Sequence, residues 1–348
     1  MTFLSAVSLG VAILSPPAQD GAATPPLSAE LGRYASARTL VVSEAGRTLG
    51  FGVIVDPKGF AILPGEVAFA ETGSPRKSLK GKVIDASYAL KVIAFDPSTD
   101  LALVSLPEAS RNYEFAELAE RLSSTIVLVI LPNGPARGQV AVTGVSGVIA
   151  LSGRYMPLNE IRLDSRGRAP TGAPVYLPNG KLAGLINAEL QTNEPAAAVE
   201  SMSMPGARAL SGFAAKLGPL APATAFSLDL PVLDRVISGF RSPSRTIEHP
   251  WIGLFFKTGA PPALGAEVTE VVAGSPGEAA GIRIGDAIIG SAQQSFRSHV
   301  EFAAFLFGKK PGENFSLAVA RDDRVRTVQV RLAREPHSTD SLVRKRDR

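Results

Sequence analysis

Nucleophilic chemistry without a metal needs a nucleophile and a base to take its proton, and this chain restricts both. It has no cysteine, so thiolate nucleophiles, disulfides and thiolate zinc sites are excluded. Its three histidines are His249, His299 and His337, so residues 1–248 carry no imidazole. The three stand at no metal-ligand spacing, and neither a metal nor a cofactor is expected. Hydroxyls and carboxylates are plentiful, but a hydroxyl without a base is a poor nucleophile.

The elements that would position such groups are mostly strands. The 348 residues suffice for two domains with proper cores, and 45% are hydrophobic. Gly 33 and Pro 27 suit short strands joined by turns. The net charge of +4 is small for this length, and aromatics are 6%. Basic and aromatic residues do not interleave, so no nucleic-acid partner is expected. Short β-rich runs predict strands at 39–43, 49–55, 60–63, 82–84, 89–95, 101–106, 125–131, 139–148, 174–177 and 181–187. Turn residues such as Asp56-Pro57-Lys58-Gly59 separate them. That frequency argues for an all-β barrel or sandwich. Residues 191–225, rich in Ala, Pro, Ser and Met, predict a long surface loop.

A helix follows, capped by Asp229, with Pro231 in its first turn and Val232, Leu233, Val236, Ile237 and Phe240 on one face. Residues 241–248 are polar and contain Pro243, as a linker would. The pattern after His249 is mixed α/β. Capping boxes at Ser275-Pro276-Gly277-Glu278 and Ser298-His299-Val300-Glu301 open two short helices, and a hairpin over 315–332 ends the domain. His299 is expected as a solvated first-turn residue. At the start, the apolar stretch from Phe3 to Leu14 is too short to span a bilayer and suits a signal-peptide core, although a positive n-region is lacking. Export to the periplasm or outside is expected, or membrane association through that stretch.

Three motifs after His249 resemble the PDZ domain of the HtrA/Deg serine proteases: Pro250-Trp251-Ile252-Gly253-Leu254, Gly274-Ser275-Pro276-Gly277-Glu278-Ala279-Ala280-Gly281-Ile282, and Gly285-Asp286-Ala287-Ile288-Ile289. Upstream, the segments 50–60, 96–103, 125–148 and 164–187 are similar to the same family's protease domain, in its order. The resemblance implies an all-β trypsin-like double β-barrel followed by a mixed α/β PDZ domain. The expected division is 1–30 export segment, 31–240 barrel domain, 241–248 linker, 249–333 PDZ domain and 334–348 a disordered basic tail. In such a PDZ domain a peptide C-terminus adds to a sheet edge. By resemblance, amides in Ile252, Gly253 and Leu254 would hold its carboxylate, and Ile252, Leu254, Val300 and Leu306 would line its pocket.

The resemblance also assigns triad positions. Asp100, within Asp96-Pro97-Ser98-Thr99-Asp100-Leu101, stands where the family has its catalytic Asp. The family's His follows the strand matched by Phe60 to Leu63, where this chain has Pro64-Gly65-Glu66-Val67-Ala68. The nucleophile loop corresponds to Ala169-Pro170-Thr171-Gly172-Ala173-Pro174, with Thr171 in place of Ser. Asp100 and Thr171 are thus remnant positions, and Pro170 removes an amide near the oxyanion hole. The barrel is expected to be a pseudoprotease beside a PDZ domain that captures peptide or protein C-termini, as a scaffold, adaptor or regulator in protein quality control. Two alternatives remain open: an active endopeptidase with Thr171 as nucleophile and Glu66 as substitute base, and a regulatory chain that co-assembles with an active HtrA-like protease. A homo-oligomer is equally compatible.

Overall fold

The structure is a computed structural model that describes residues 29–108, 112–149, 154–164, 170–186, 190–192, 223–257, 265–322 and 324–336. The apolar stretch at 3–14, Ala169 and most of 191–225 lie outside these residues.

A helix absent from the sequence expectation comes first. α1 (Ala29–Ser36) buries Leu31 and Ala35 beneath the strands. The first sheet holds β1 (Thr39–Glu44), β2 (Arg47–Ile54), β3 (Phe60–Pro64), β4 (Lys80–Val83), β5 (Ala86–Ala89), β6 (Lys91–Asp96) and β7 (Leu101–Ser105). Their order is β5-β4-β1-β2-β3-β7-β6, all antiparallel. The short helix α2 (Gly65–Ala68) follows β3 directly. The second sheet holds β8 (Ile126–Leu131), β9 (Gly134–Ile149), β10 (Arg154–Leu163), β11 (Pro174–Tyr176), β12 (Leu182–Leu185), β13 (Leu190–Thr192) and β14 (Ala223–Leu228). Its order is β12-β11-β8-β9-β10-β14, with β13 also on β9.

Three expectations need correction. The run 89–95 is two strands, because pairing passes from β4 to β7 around Leu90. β10 was not anticipated: Pro157, Asn159 and Glu160 spoil its alternation, and its pairing with β9 shifts register on either side of Glu160. The expected loop over 191–225 ends early, since Ala223 to Ala225 already pair with β10.

Strand alternation sorts side chains onto two faces. In β2, Phe51 and Val53 point to a seam between the sheets, whereas Ile54 points into the first sheet's own core. Ile62, Leu101 and Leu103 join the seam, and Ala61, Leu63, Ala102 and Val104 do not. From the second sheet, Leu128, Leu158, Tyr176 and Leu185 reach the same seam, while Val127, Val129, Ile161 and Val175 fill their own core. The result is a trypsin-like pair of half-barrels. Across the seam lies α3 (Leu230–Arg241), capped by Asp229 as expected, with Val232, Leu233, Val236, Ile237 and Phe240 buried in it.

The PDZ domain contains β15 (Pro250–Trp251), β16 (Leu254–Phe256), β17 (Ala266–Val271), α4 (Pro276–Ala279), β18 (Ala287–Ser291), α5 (His299–Phe307), β19 (Asn314–Arg321), β20 (Arg324–Arg331) and β21 (Ala333–Arg334). Both capping boxes form, with the Ser275 and Ser298 hydroxyls accepting from the Glu278 and Glu301 amides. The main sheet runs β16-β17-β18-β19-β20, so β16 is an edge. β15 pairs with β21, which draws Arg334 out of the expected tail and into the domain.

The PDZ domain is docked on the barrels through α5. Phe307 at its end joins the seam core. Arg235 of α3 donates Nη2 to the Phe307 carbonyl and Nη1 to that of Lys309, each at 2.8 Å. The His249 ring stacks on Phe307, with centroids 5.1 Å apart, and its Nε2 lies 2.9 Å from Asp96 Oδ1. Burial lowers the Arg235 guanidinium to about 10, against the pull of Asp96 and Asp234. Burial alone would raise Asp96. The hydrogen bond and charge of His249, then the Thr99 hydroxyl and the Ser98 amide, outweigh it and hold the carboxyl below its ordinary value.

A depressed carboxyl contributes stability that is complete above its unfolded pKa and is lost as pH falls through the folded value. Asp96→Asn is therefore expected to flatten the decline of stability below the ordinary value of 3.8, measured by urea unfolding at stepped pH. An acid limb identical to that of the parent chain would contradict the pairing.

Candidate functional site

The residues assigned to the triad do converge, although they come from distant parts of the chain. Asp100 opens the strand β7 from a left-handed backbone (φ 52°), which aspartate tolerates better than most residues, and it is fully buried. Its carbonyl accepts the Gly65 amide at 2.8 Å. Its carboxylate presses on Gly65 so closely that a Cβ there would overlap Oδ1. The start of α2 is therefore glycine for a steric reason. Glu66, next in the chain, is half-buried.

The Thr171 turn sits on the other side of the same corner. The Thr171 carbonyl accepts the Phe51 amide at 2.8 Å, and the Gly172 amide donates to the Ile186 carbonyl at 2.6 Å. Gly172 is left-handed (φ 79°); a Cβ on it would overlap the Phe51 carbonyl and come 2.9 Å from Pro64 Cδ. Gly50 is equally constrained, with Thr171 O and Val67 Cγ2 each 2.7 Å from where its Cβ would be. Thus Thr171–Gly172, Pro64–Val67 and Asp100 surround one corner.

The corner carries hydroxyl and carboxylate groups but no histidine. Position 65 is glycine and 66 glutamate, so no imidazole follows β3. The two described histidines are both engaged elsewhere. His249 pairs with Asp96, four residues before Asp100, and its Nδ1 is buried without a hydrogen-bond partner. His299 is 8% exposed and meets the Tyr155 ring edge-on at 5.7 Å, which corrects the expectation of a solvated residue. Neither contact leaves a local signal in the sequence, because both arise from domain docking. The Gly172 amide is engaged by Ile186, and Pro170 has no amide to offer. Among the described residues, no group of His, Asp and Glu is arranged to hold a metal ion.

The PDZ edge is arranged differently. Gly253 is left-handed (φ 74°) and so close to Ser275 that no Cβ fits. Its carbonyl accepts from the Val272 amide, and the Ile252 carbonyl accepts from the Gly277 amide, each at 2.9 Å. The loop is thus fixed through its carbonyls, and among the described residues no backbone carbonyl accepts the Ile252 or Gly253 amide. The Val272 bond also makes Leu254 and Val271 a non-hydrogen-bonded pair, which turns the Leu254 amide to the open edge of β16. Leu254, Val300 and Leu306 are half-buried along β16 and α5, whereas Ile252 is 3% exposed and belongs to the domain core. Asp286 of the Gly-Asp motif is structural. It receives a bidentate pair from Arg321 at 2.6 and 2.7 Å. Burial would raise its carboxyl, but the Arg321 bonds, the Arg283 amide and the two arginine charges hold it down.

Comparison with known proteins agrees with both halves. The PDZ domain family matches residues 247–332. The periplasmic pH-dependent serine endoprotease DegQ of Escherichia coli is 24% identical over 299 residues, covering 84% of this chain and 61% of that protein. A probable periplasmic DegP-like serine endoprotease of Marinomonas is 23% identical over 265 residues, covering 72% and 50%. This chain therefore spans only about half to three-fifths of the length of these relatives. Among solved structures, the HtrA-type protease AlgW with a decapeptide superposes with a TM-score of 0.54 at 14% identity, over 88% of this chain and 99% of that one. The serine endoprotease from Yersinia pestis gives 0.53 at 16%, over 88% and 97%.

The crowding at Gly172 sets a measurable cost. Gly172→Ala is expected to destabilise the chain by at least about 2 kcal/mol, from backbone strain and overlap with Phe51. Gly46→Ala, left-handed but with nothing within 4 Å, should cost about 1 kcal/mol. Equal costs in urea unfolding would contradict the close approach of the Thr171 turn to β2.

Proposed function

We propose that this chain, a homologue of the HtrA/Deg serine proteases with a PDZ domain, binds the C-termini of peptides or proteins and does not cleave them. The observation that carries the reading is the open edge of β16. The Leu254 amide turns to that edge, and the Ile252 and Gly253 amides before it have no backbone acceptor among the described residues, which supports addition of a carboxylate and a strand there. Leu254, Val300 and Leu306 supply an apolar wall beside it. A free carboxylate gains charge-assisted hydrogen bonds there, and an apolar last residue gains burial.

Loss of cleavage follows from the barrel. Without an imidazole between residues 1 and 248, Thr171 has no base of the ordinary kind, and Glu66 is a weak substitute for one. The barrel then serves as the platform on which the PDZ domain is displayed, alone, as a homo-oligomer, or beside an active HtrA-like protease. A periplasmic location is supported by the relatives named above, and a part in protein quality control belongs to the same proposal. Among the described residues no helix is long and apolar enough to cross a membrane.

Titration of the intact chain with a C-terminal peptide library, followed by the fluorescence of its single tryptophan, Trp251, tests this reading. Peptides with an apolar last residue should bind. Amidation of the carboxyl should weaken them about 10- to 100-fold, as loss of charged hydrogen bonds does, and Leu306→Glu should weaken them similarly. Casein should remain intact. Failure of every peptide with the domain folded would overturn the binding half, and casein turnover abolished by Thr171→Ala would overturn the other.

A further inference from the structure

A cavity of about 280 Å³ lies between the end of α3, the segment that follows it and the turn from Val55 to Phe60. Its walls carry three cations, Lys58, Arg241 and Arg245, and one acid, Asp56. The Asp56 carboxylate is already engaged by the Lys58 amide at 2.8 Å. Among the described residues, no ion pair includes any of the three cations. Arg241 is positioned by a bond from Nη2 to the Val55 carbonyl.

Arg245 is the unusual member. Its backbone is left-handed (φ 52°), its guanidinium lies 4.6 Å over the Phe60 ring, and its Nη1 is buried without an acceptor. A buried charged donor left without an acceptor costs free energy, and native proteins keep few. Two carbonyls at the end of α3 are covered. The Ser242 amide bonds to those of Ser238 and Gly239, and the Ser242 hydroxyl donates to Gly239 at 2.6 Å. The rest of the wall is apolar, with Phe60, Leu103, Ile237 and Phe240.

We propose that this cavity is a binding site for a short aliphatic carboxylate. The carboxylate pairs with the Arg245 guanidinium at the cavity wall, with Arg241 and Lys58 supplying further positive charge, and the aliphatic body lies on the apolar wall. Inorganic phosphate would satisfy the cations and leave that wall wet. An alcohol would cover the wall and leave the guanidinium unmatched. The volume is below that of drug-sized sites, so the chain is short. A free short-chain acid and a leucine C-terminus share this chemistry. The site is separate from the β16 edge and does not depend on the reading of that edge.

Calorimetric titration of the intact chain with hexanoate, N-acetyl-leucine, hexanol and phosphate tests it, in the parent and in Arg245→Met and Arg245→Lys. Arg245 is half-exposed, so both variants should fold. At least one carboxylate should bind saturably, at least tenfold more weakly in Arg245→Met, with partial recovery in Arg245→Lys. Hexanoate alone identifies a free acid as the ligand, and acetyl-leucine binding as well or better identifies a chain terminus. The proposal fails if neither carboxylate saturates by about 10 mM, which is an affinity near 3 kcal/mol. It also fails if Arg245→Met binds equally, or if hexanol or phosphate matches hexanoate.

Discussion

The apolar seam between the two sheets is the constraint on which everything else depends. Phe51, Val53, Ile62, Leu101 and Leu103 on one side meet Leu128, Leu158, Tyr176 and Leu185 on the other. Because strand side chains alternate, filling this seam fixes the register of β2, β3 and β7 at once. That register places Asp100 against Gly65 and the Thr171 turn against Phe51. The corner is therefore held by packing that does not depend on catalysis. The close approach of these segments needs no imidazole at the corner.

The same seam extends to the PDZ domain. Phe307 lies in it, α3 crosses it, and Arg235 ties the two by closing carbonyls at the end of α5. His249 and Asp96 add a buried polar pair at the junction. A buried pair of this kind contributes little net stability compared with apolar packing, but breaking one partner is costly. It is better understood as fixing how the domains meet. The helix α5 then has two faces with different duties: His299 and Phe307 meet the barrel side, while Val300 and Leu306 run beside the open edge of β16.

Much of this architecture was legible in the sequence, for physical reasons. The turns, the alternating runs, the Asp229 cap and both capping boxes are local signals, and they formed where local chemistry puts them. The missing base was readable from composition alone. What could not be read is long-range. β10 carries Pro157 and Glu160 within a strand whose burial comes from partners on both sides. The places of His249 and His299 depend on domain docking, which leaves no periodic trace. The Gly-Asp motif at 285–286 identified the PDZ domain, yet its side chain serves a bidentate pair with Arg321 rather than a ligand.

On the proposed reading, Thr171 occupies a nucleophile's place without a nucleophile's reactivity. Exposure of the intact chain to a fluorophosphonate, which labels activated hydroxyls, followed by intact-mass and peptide-level mass spectrometry, tests it most directly. The account predicts an unmodified chain under conditions in which a functional HtrA protease is labelled to completion. A single adduct mapped to Thr171 would contradict it.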